Sequence, residues 1–508
     1  MSPDSAPALE GILARGRRSM LALLVQKLTT PALSFAITVL LARGLSRQAY
    51  GTYSLLQGTL PYFGLVTGLG LAYGFLRFIP EYHDTGRDGL ARRLIRTGLL
   101  LRLLACLVAF GLALLFSGPL LAFFGIAGYG TAFRIFALST MLFLEVTLAF
   151  QALNALFLTA YAVAGQIAYT AIKAALLLAL LLGGRLSLGL ALWVEVASAG
   201  AFLTIVGVSY RLRWERTVGE PASLAGQRLR LLRFCGWNAL SDAGNTVFST
   251  ATDFLIIGHF LGTVALAPYY LATQVCGLIG RANVVFLFQV AVSPMFFAQY
   301  ARNRGRLNET YQIVVKMCLF GVIPIVAVYP FLGRQVIELV GGGRYPSAFG
   351  LVAVLVAAAP VSALAYPTGL VLQSLERADR ITYSSVFAFY NVAAAILLIP
   401  HFGVYGVAFA TATAVLAQNG YLVFWAHRLG GVSPPWSAGL KLAVNAGVTS
   451  LAAWGLGHLV GGGGPLLLAA SFLVCGGVYL LASTVNPLLT NAEAQVVDRL
   501  VGRKVWRF

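Results

Sequence analysis

Charged residues are scarce in this sequence of 508 residues, since Asp, Glu, Lys and Arg together make up only 10% of it. An ordinary soluble domain contains about 25% charged residues, and a soluble globule with so few could not cover its surface with polar groups. The shortage therefore excludes a soluble enzyme, a nucleic-acid-binding domain and a disordered chain. Hydrophobic residues instead fill 59% of the sequence. Because they form long runs and not short alternating strands, they also exclude an outer-membrane barrel and predict an all-α polytopic membrane protein.

Residues with reactive or metal-binding side chains are also few. The five Cys lie far apart with no CxxC pair, and the five His form no HExxH motif, so no metal site is predicted. No Gly-Lys dipeptide occurs, which excludes a Walker A loop. No predicted outside loop exceeds about fifteen residues, whereas a polymerase or ligase for lipid-linked sugars usually carries acid/base groups on a large one. We therefore predict a protein that is not an enzyme and has no cofactor.

The apolar runs predict about fourteen membrane-spanning helices, since a hydrocarbon core of about 30 Å requires roughly 20 apolar residues per helix. The first run is too long for the hydrophobic region of a signal peptide, and we expect it to be a retained helix. The predicted spans are 20–42, 52–77, 94–117, 131–157, 161–182, 188–209, 235–260, 265–298, 312–332, 347–373, 381–400, 403–426, 439–459 and 465–485.

The distribution of basic residues agrees with this count. Arg and Lys collect on cytoplasmic loops by the positive-inside rule. With the N-terminus inside, the predicted inside segments hold 25 of the 36 basic residues and the outside loops hold 5, while 6 lie within helices. We therefore expect both termini to be cytoplasmic.

A polar central segment, 211–233, divides the spans into six before it and eight after it. The second helix of each half follows a related turn, with Leu45 and Tyr53 in the first half and Leu261 and Tyr269 in the second. Because six is an even number, both halves have the same orientation, which predicts a parallel repeat around a central cleft. The predicted parts are an N-terminal six-helix bundle (1–210), a cytoplasmic linker (211–233), a second six-helix bundle (234–428), and two extra helices with a cytoplasmic tail (429–508).

Basic residues inside the predicted helices are the most informative positions. Each costs roughly 2.5–3.5 kcal/mol to insert, so such residues usually face a cavity or a partner. Lys173 and Arg281 lie nearest to the middle of their helices and are the best candidates for lining a cavity. Lys27 and Arg102 lie about 10–12 Å from the inner interface at 1.5 Å per residue, and fit a cavity lining or snorkelling equally well.

The remaining charges within helices have simpler interpretations. Arg134 and Lys316 lie near helix ends, where we expect their side chains to snorkel to the interface. Glu145 lies near the middle of its helix and could pair with Lys173 on the next one. The other acidic residues within helices are Glu195, Asp242 and Asp253.

Polar residues recur at helical spacing in the first, seventh and eighth predicted helices. A polar stripe in a membrane helix more often marks a helix–helix contact than a substrate path. The first and seventh helices occupy equivalent positions in the predicted repeat, however, which favours a shared polar cleft. The predicted polar lining of this cleft is Thr30, Ser34, Asn238, Asn245 and Gln274.

Taken together, these features resemble the MOP exporter superfamily in its polysaccharide-transport branch, the Wzx-type O-antigen flippases and their relatives. The likeness covers nearly the whole chain, including the helix count and the loop charges. It is carried by the segments KLTTPALSFAITVLLARGLSRQAYGTYSLLQ, FLRFIPEY, TDFLIIGHFLG, APYYLA and, at the end, NPLLTNAEAQVVDRLVGR.

The resemblance implies two six-helix bundles around a V-shaped cleft in the inner (plasma) membrane. The implied cargo is an undecaprenyl-pyrophosphate-linked oligosaccharide, an O-antigen or exopolysaccharide repeat unit, flipped from the cytoplasmic to the periplasmic leaflet. The expected partners are this glycan and the lipid bilayer, with polysaccharide polymerase or assembly proteins as further candidates, and no nucleic acid. The residues that would bind the anionic headgroup are Lys27, Arg102, Lys173 and Arg281.

A proton or sodium ion could reset such a carrier, and the candidate coupling residues are Glu145, Asp242 and Asp253, of which Asp253 matches an acidic position common in helix 7 of the family. A lipid II flippase is a close alternative. A MATE-like multidrug cation exporter would need a net acidic cavity, whereas six basic residues face four acidic ones within the predicted helices here. A membrane polymerase or ligase is the least favoured alternative.

Overall fold

The computed structural model describes residues 5–217, 222–247, 249–281, 292, 296–297, 300, 303–460, 464–491 and 493–494. Within this part of the chain all regular structure is helical, as expected where lipid cannot satisfy backbone hydrogen bonds. The helices of the N-terminal half are α1 (Ser5–Gly44), α2 (Arg47–Gly68), α3 (Leu71–Asp84), α4 (Asp88–Leu115), α5 (Ser117–Phe123), α6 (Gly130–Ala155), α7 (Thr159–Leu182), α8 (Leu188–Arg213), α9 (Arg228–Val247) and α10 (Thr250–Phe260).

The helices that follow are mostly apolar as well. They are α11 (Thr263–Arg281), α12 (Leu307–Gly341), α13 (Ser347–Ala357), α14 (Ala359–Ser362), α15 (Ala365–Ser374), α16 (Ala378–Tyr383), α17 (Val386–Phe402), α18 (Val404–Gly430), α19 (Trp436–Val460) and α20 (Pro465–Val485).

Nine helices of the described residues are long and apolar enough to cross a membrane, and two bent pairs add two more spans if each pair counts as one. The pairs are α2 with α3, bent by 52°, and α13 with α14–α15, bent by 42°. Each of the fourteen predicted spans overlaps described helix, although the seventh, 235–260, includes residue 248 and the eighth, 265–298, runs on into residues outside the described part. The predicted class, an all-α polytopic membrane protein, is confirmed.

The contacts of the chain divide it into two compact units, Met1–Ala267 and Pro268–Phe508. The predicted second bundle, 234–428, includes α10 and most of α9, yet in the structure α9 packs on α2 and α3, and α10 packs on α2. Both helices therefore belong to the first compact unit. The repeat and its boundaries at 1–210, 211–233, 234–428 and 429–508 stay a prediction.

Two residues with left-handed backbone separate α2 from α3: Leu69, with φ 51°, and Gly70, with φ 65°. Gly70 also touches α9 closely, because a Cβ atom there would collide with the carbonyl oxygen of Cys235. One turn later, a Cβ atom on Gly74 would lie 2.8 Å from the Cys235 sulfur. The break between α2 and α3 therefore lets α9 lie directly against their backbone.

Each unit has its own apolar core. In the first unit, Phe75 and Phe78 of α3 pack with Ile95 of α4. In the second, the beginning of α12 packs with α15 and α18 around Tyr311 and Val371. The longest described helix of the second unit is α12, with 35 residues.

Candidate functional site

A buried cluster of polar side chains lies where α2, α7 and α8 meet in the first unit. Lys173 of α7 and Glu195 of α8 form an ion pair, with Nζ 2.5 Å from Oε1, and their side chains are only 12% and 8% exposed. The Tyr53 hydroxyl donates a hydrogen bond of 2.6 Å to Glu195 Oε1. The Tyr169 hydroxyl donates one of 3.2 Å to Oε2. We name Tyr53, Gln57, Tyr169, Lys173 and Glu195 the Glu195 cluster.

Gln57 completes this cluster from one turn along α2. Its side-chain nitrogen donates to the Tyr53 hydroxyl at 2.9 Å and reaches Glu195 Oε1 at 3.4 Å. The carboxylate is thus held by polar groups from α2 and α7, as a buried charge requires. Tyr53 and Gln57, and likewise Tyr169 and Lys173, are four residues apart, which places each pair on one face of its helix.

A small cavity of about 80 Å³ adjoins the Glu195 cluster. Its volume is sufficient for water, since one water molecule occupies about 30 Å³ of liquid. The Thr140 hydroxyl lines it and is buried without a hydrogen-bond partner in the described part of the chain. The residues around the cavity are Gln57, Leu60, Phe136, Ser139, Thr140, Phe143, Tyr169, Lys173, Glu195 and Ala199.

A second buried basic residue, Arg102 of α4, lies near the carboxyl end of α2. It is 6% exposed, and its Nη1 atom is 4.0 Å from the position of a Cβ atom on Gly68. It interacts electrostatically with Glu145 of α6. The partial negative charge at a helix carboxyl end also stabilises a cation there.

The hydrogen-bonding capacity of this second pair is not used up. Among the described residues, Arg102 Nε and Glu145 Oε2 are both buried without a hydrogen-bond partner. Gln57, Leu60, Gly64 and Gly68 recur every three or four residues along α2, so one face of this helix runs from the Glu195 cluster to Arg102. Eleven residues, or about 16 Å, separate Gln57 from Gly68 along the helix.

Comparison with known proteins assigns the chain to a family. A family model described as "Polysaccharide biosynthesis protein" matches residues 17–299, more than half of the chain. The chain belongs to this polysaccharide biosynthesis family. No protein with a curated description matches the sequence.

Solved structures share the fold of this family member. One described as "Lipid II flippase MurJ, inward closed conformation" is 15% identical, with a TM-score of 0.69 over 92% of this chain and 98% of that one. An inward-facing multidrug resistance MATE family transporter of the MOP superfamily is 13% identical, with a TM-score of 0.65 over 81% and 98%. A MATE structure in the bent conformation is 14% identical, with a TM-score of 0.52 over 82% and 95%. The resemblance to the MOP exporter superfamily is confirmed.

Of the four basic residues predicted to bind a headgroup, Lys173 forms an ion pair with a carboxylate and Arg102 interacts electrostatically with one. Lys173 pairs with Glu195, and not with Glu145, the partner suggested by the sequence. Lys27 is half-buried in α1. The side chain of Arg281 lies outside the described part of the structure.

The predicted coupling residues do not form one group. Glu145 interacts electrostatically with Arg102, whereas Asp242 of α9 accepts a hydrogen bond of 3.1 Å from the Tyr73 hydroxyl. Asp253 is fully buried in the first turn of α10.

The predicted polar lining is only partly described. Thr30 is half-buried and its hydroxyl has no hydrogen-bond partner in the described residues, while the Ser34 carbonyl accepts a bond of 2.9 Å from Thr38. The Asn238 amide donates to the Phe234 carbonyl of its own helix at 2.8 Å. Gln274 is half-buried in α11, and the side chain of Asn245 lies outside the described residues.

Lys316 does not snorkel, so that prediction is wrong. It is 7% exposed, and its Nζ lies 2.8 Å from both carboxylate oxygens of Glu493. Glu493 also accepts the Thr490 backbone N–H at 2.8 Å, and its own N–H donates to the Thr490 hydroxyl at 3.4 Å. This reciprocal arrangement is a capping box, and the ion pair attaches the segment after α20 to α12.

Proposed function

We propose that this protein translocates an undecaprenyl-pyrophosphate-linked oligosaccharide from the cytoplasmic to the periplasmic leaflet of the inner membrane by alternating access. Membership of a polysaccharide biosynthesis family and the shared fold of a lipid II flippase support this function. The flippase match covers 92% of the chain, and the MATE match covers 81%. The difference between these two coverages corresponds to about as many residues as α19 and α20 contain. These are the two helices that follow the twelve of the predicted bundles.

The observation that carries the proposal is that two basic residues, Arg102 and Lys173, are buried within membrane spans of the first unit. Arg102 and Lys173 would each cost roughly 2.5–3.5 kcal/mol in a membrane helix without a function or a partner. A diphosphate cannot cross hydrocarbon unaided, and cations in a hydrated cleft would replace its solvation shell. Arginine in addition offers a planar fork of donors that matches phosphate oxygens.

In this mechanism the headgroup exchanges places with the internal carboxylates. The diphosphate would take the position of Glu195 as the partner of Lys173, and the carboxylate would return as the headgroup leaves. Moving the anion outward is favoured by roughly 2.3 kcal/mol per charge per 100 mV when the cell interior is negative. Glu145, Asp242 and Asp253 are proposed as sites where an entering proton or sodium ion resets the carrier.

The test is a flipping assay with purified protein in liposomes that contain an undecaprenyl-pyrophosphate oligosaccharide. We expect wild type to expose the glycan on the opposite leaflet, and Arg102→Gln, Lys173→Ala and Arg281→Ala to slow this strongly. Arg134→Gln, which changes an exposed arginine on α6, is the matched control and should flip normally. A wild-type protein that leaves the glycan in its original leaflet would overturn the proposal.

Multidrug cation export remains a second candidate because of one feature, the two tyrosines that flank Glu195. A carboxylate beside aromatic rings is suited to an organic cation. The same liposomes loaded with a cationic dye distinguish the two functions. Dye export without glycan flipping would favour the second candidate and contradict the first.

A further inference from the structure

A cavity of about 770 Å³ lies between α4 and α9 in the first unit, apart from the buried ion pairs. Its size falls within the range of roughly 300–1,000 Å³ that is usual for small-molecule sites. The body of the cavity is apolar and is lined by Leu94 and Leu101 of α4 and by Leu231 and Ala239 of α9. This part of the cavity suits a hydrocarbon chain.

One end of the cavity is polar. Arg93 near the beginning of α4 and Arg228 at the beginning of α9 both line it, together with Ser223. The Ala222 backbone N–H donates to the Gly89 carbonyl at 3.0 Å, so the segment before α9 is attached to the first turn of α4. The cavity therefore runs from a basic end near two helix beginnings to an apolar interior.

The arginines of this region differ in whether they have acidic partners. Arg93 and Arg228 make no ion pair within the described residues, and no carboxylate lines the described cavity. Their neighbours on the same helices are neutralised by carboxylates outside the cavity. The pairs are Arg92 with Glu215 at 3.7 Å, Arg96 with Glu215 at 2.8 Å, and Arg230 with Glu81 at 2.7 Å.

We propose that this cavity binds an anionic phospholipid of the surrounding membrane. Its phosphate would lie between the Arg93 and Arg228 guanidinium groups, which provide charge-assisted hydrogen bonds. One acyl chain would fill the apolar body between α4 and α9. The few polar groups of the lining cannot satisfy the hydroxyls of an oligosaccharide, so this is a lipid site distinct from the translocation path. The lipid would bridge α4 and α9 and thereby stabilise the first unit.

The test measures binding of dioleoyl phosphatidylglycerol to the purified full-length protein in detergent, by native mass spectrometry and by the shift in melting temperature. A ligand that binds only the folded state raises the melting temperature. We expect phosphatidylglycerol to raise it and dioleoyl phosphatidylcholine not to do so. Arg93→Gln and Arg228→Gln should each weaken binding roughly tenfold, as loss of a charge-assisted hydrogen bond does. The matched control is Arg211→Gln, an exposed arginine at the end of α8 outside the cavity.

A second variant tests the apolar body. Gly236 lines the cavity, and a Cβ atom there would meet nothing within 4 Å, so Gly236→Leu adds apolar volume at a position with room for a side chain to begin. We expect this variant to fold, since leucine favours a helix over glycine, and to lose the shift with phosphatidylglycerol. Equal shifts in wild type and all variants would overturn the proposal. Undecaprenyl phosphate bound in preference to phosphatidylglycerol would overturn the assignment to a membrane phospholipid.

Discussion

At the scale of single residues, three buried basic residues of the described chain interact with acidic ones. Lys173 forms an ion pair with Glu195 and Lys316 forms one with Glu493, while Arg102 interacts electrostatically with Glu145. A buried pair adds little stability relative to apolar residues, but removing one partner leaves an uncompensated charge. We therefore expect a substitution that removes one partner of such a pair to lower the free energy of unfolding.

Breaking the Glu195 cluster tests this directly. We expect Lys173→Met to cost about 3–5 kcal/mol of unfolding free energy, and the double variant Lys173→Met/Glu195→Gln to cost less than that single change. Unfolding of the purified protein in detergent measures both. Arg134→Met, at an exposed position, should stay within about 0.5 kcal/mol of wild type. Costs that simply add in the double variant would show that the two residues are not coupled.

The second residue-scale prediction concerns pH. Burial acts to raise the pKa of Glu493, but hydrogen bonds from Lys316 and from the Thr490 backbone outweigh it, so the pKa of this carboxyl is lower than its usual 4.5. The unfolded chain then binds more protons, and the stabilisation is present above the usual pKa and lost as the pH falls through the lowered one.

We therefore expect Glu493→Gln to lower the melting temperature at pH 7 and to differ less and less from wild type below about pH 4.5. Thermal unfolding across this range measures the effect. Glu376→Gln, at an exposed position, should show no such trend. A difference between Glu493→Gln and wild type that stays constant with pH would contradict the assigned role of the ion pair.

At the scale of helices, the break between α2 and α3 gives the sharpest prediction. Gly70 and Gly86 both have a positive φ, 65° and 69°, but a Cβ atom would meet neighbouring atoms within 4 Å only at Gly70, where it would collide with Cys235. Gly86→Ala should cost about 1–2 kcal/mol for its backbone conformation alone. Gly70→Ala should cost clearly more, because the methyl group would displace α9. Unfolding in detergent measures both, and equal costs would show that the contact with α9 is unimportant.

The sequence predicts the helices well and the contacts between them poorly. A run of about 20 apolar residues has almost no alternative to a membrane helix, so the spans are visible in the composition. Lys173 can be recognised from the sequence as a candidate site residue for a related reason, because a charge within a membrane helix is energetically costly. Its partner cannot be recognised in this way, because pairing with Glu195 depends on which faces of α7 and α8 meet. Tyr53 belongs to the same cluster from 120 residues away, and nothing in its local sequence indicates that.

At the scale of the whole molecule, the orientation in the membrane is the clearest remaining prediction. Arg185 and Arg211 are exposed near opposite ends of α8, a helix of 26 residues. In a chain without its native cysteines, we expect Arg185→Cys to react with a membrane-impermeant thiol reagent added outside cells. Arg211→Cys should react only after the membrane is opened. The reverse pattern would invert the predicted topology and place both termini outside.

The length of α12 has a further consequence for the second unit. Its 35 residues span about 52 Å, whereas the hydrocarbon of a bilayer is about 30 Å thick. Arg334 and Glu338 at its carboxyl end are 77% and 60% exposed, and its other end carries the core around Tyr311. We therefore expect part of that core to extend beyond the lipid, where urea weakens apolar burial as in a water-soluble protein. Two different effects thus stabilise the packing of this one helix. Near Tyr311 it is stabilised by removal of apolar surface from water, and along the middle of the helix, within lipid, by close contact between helices.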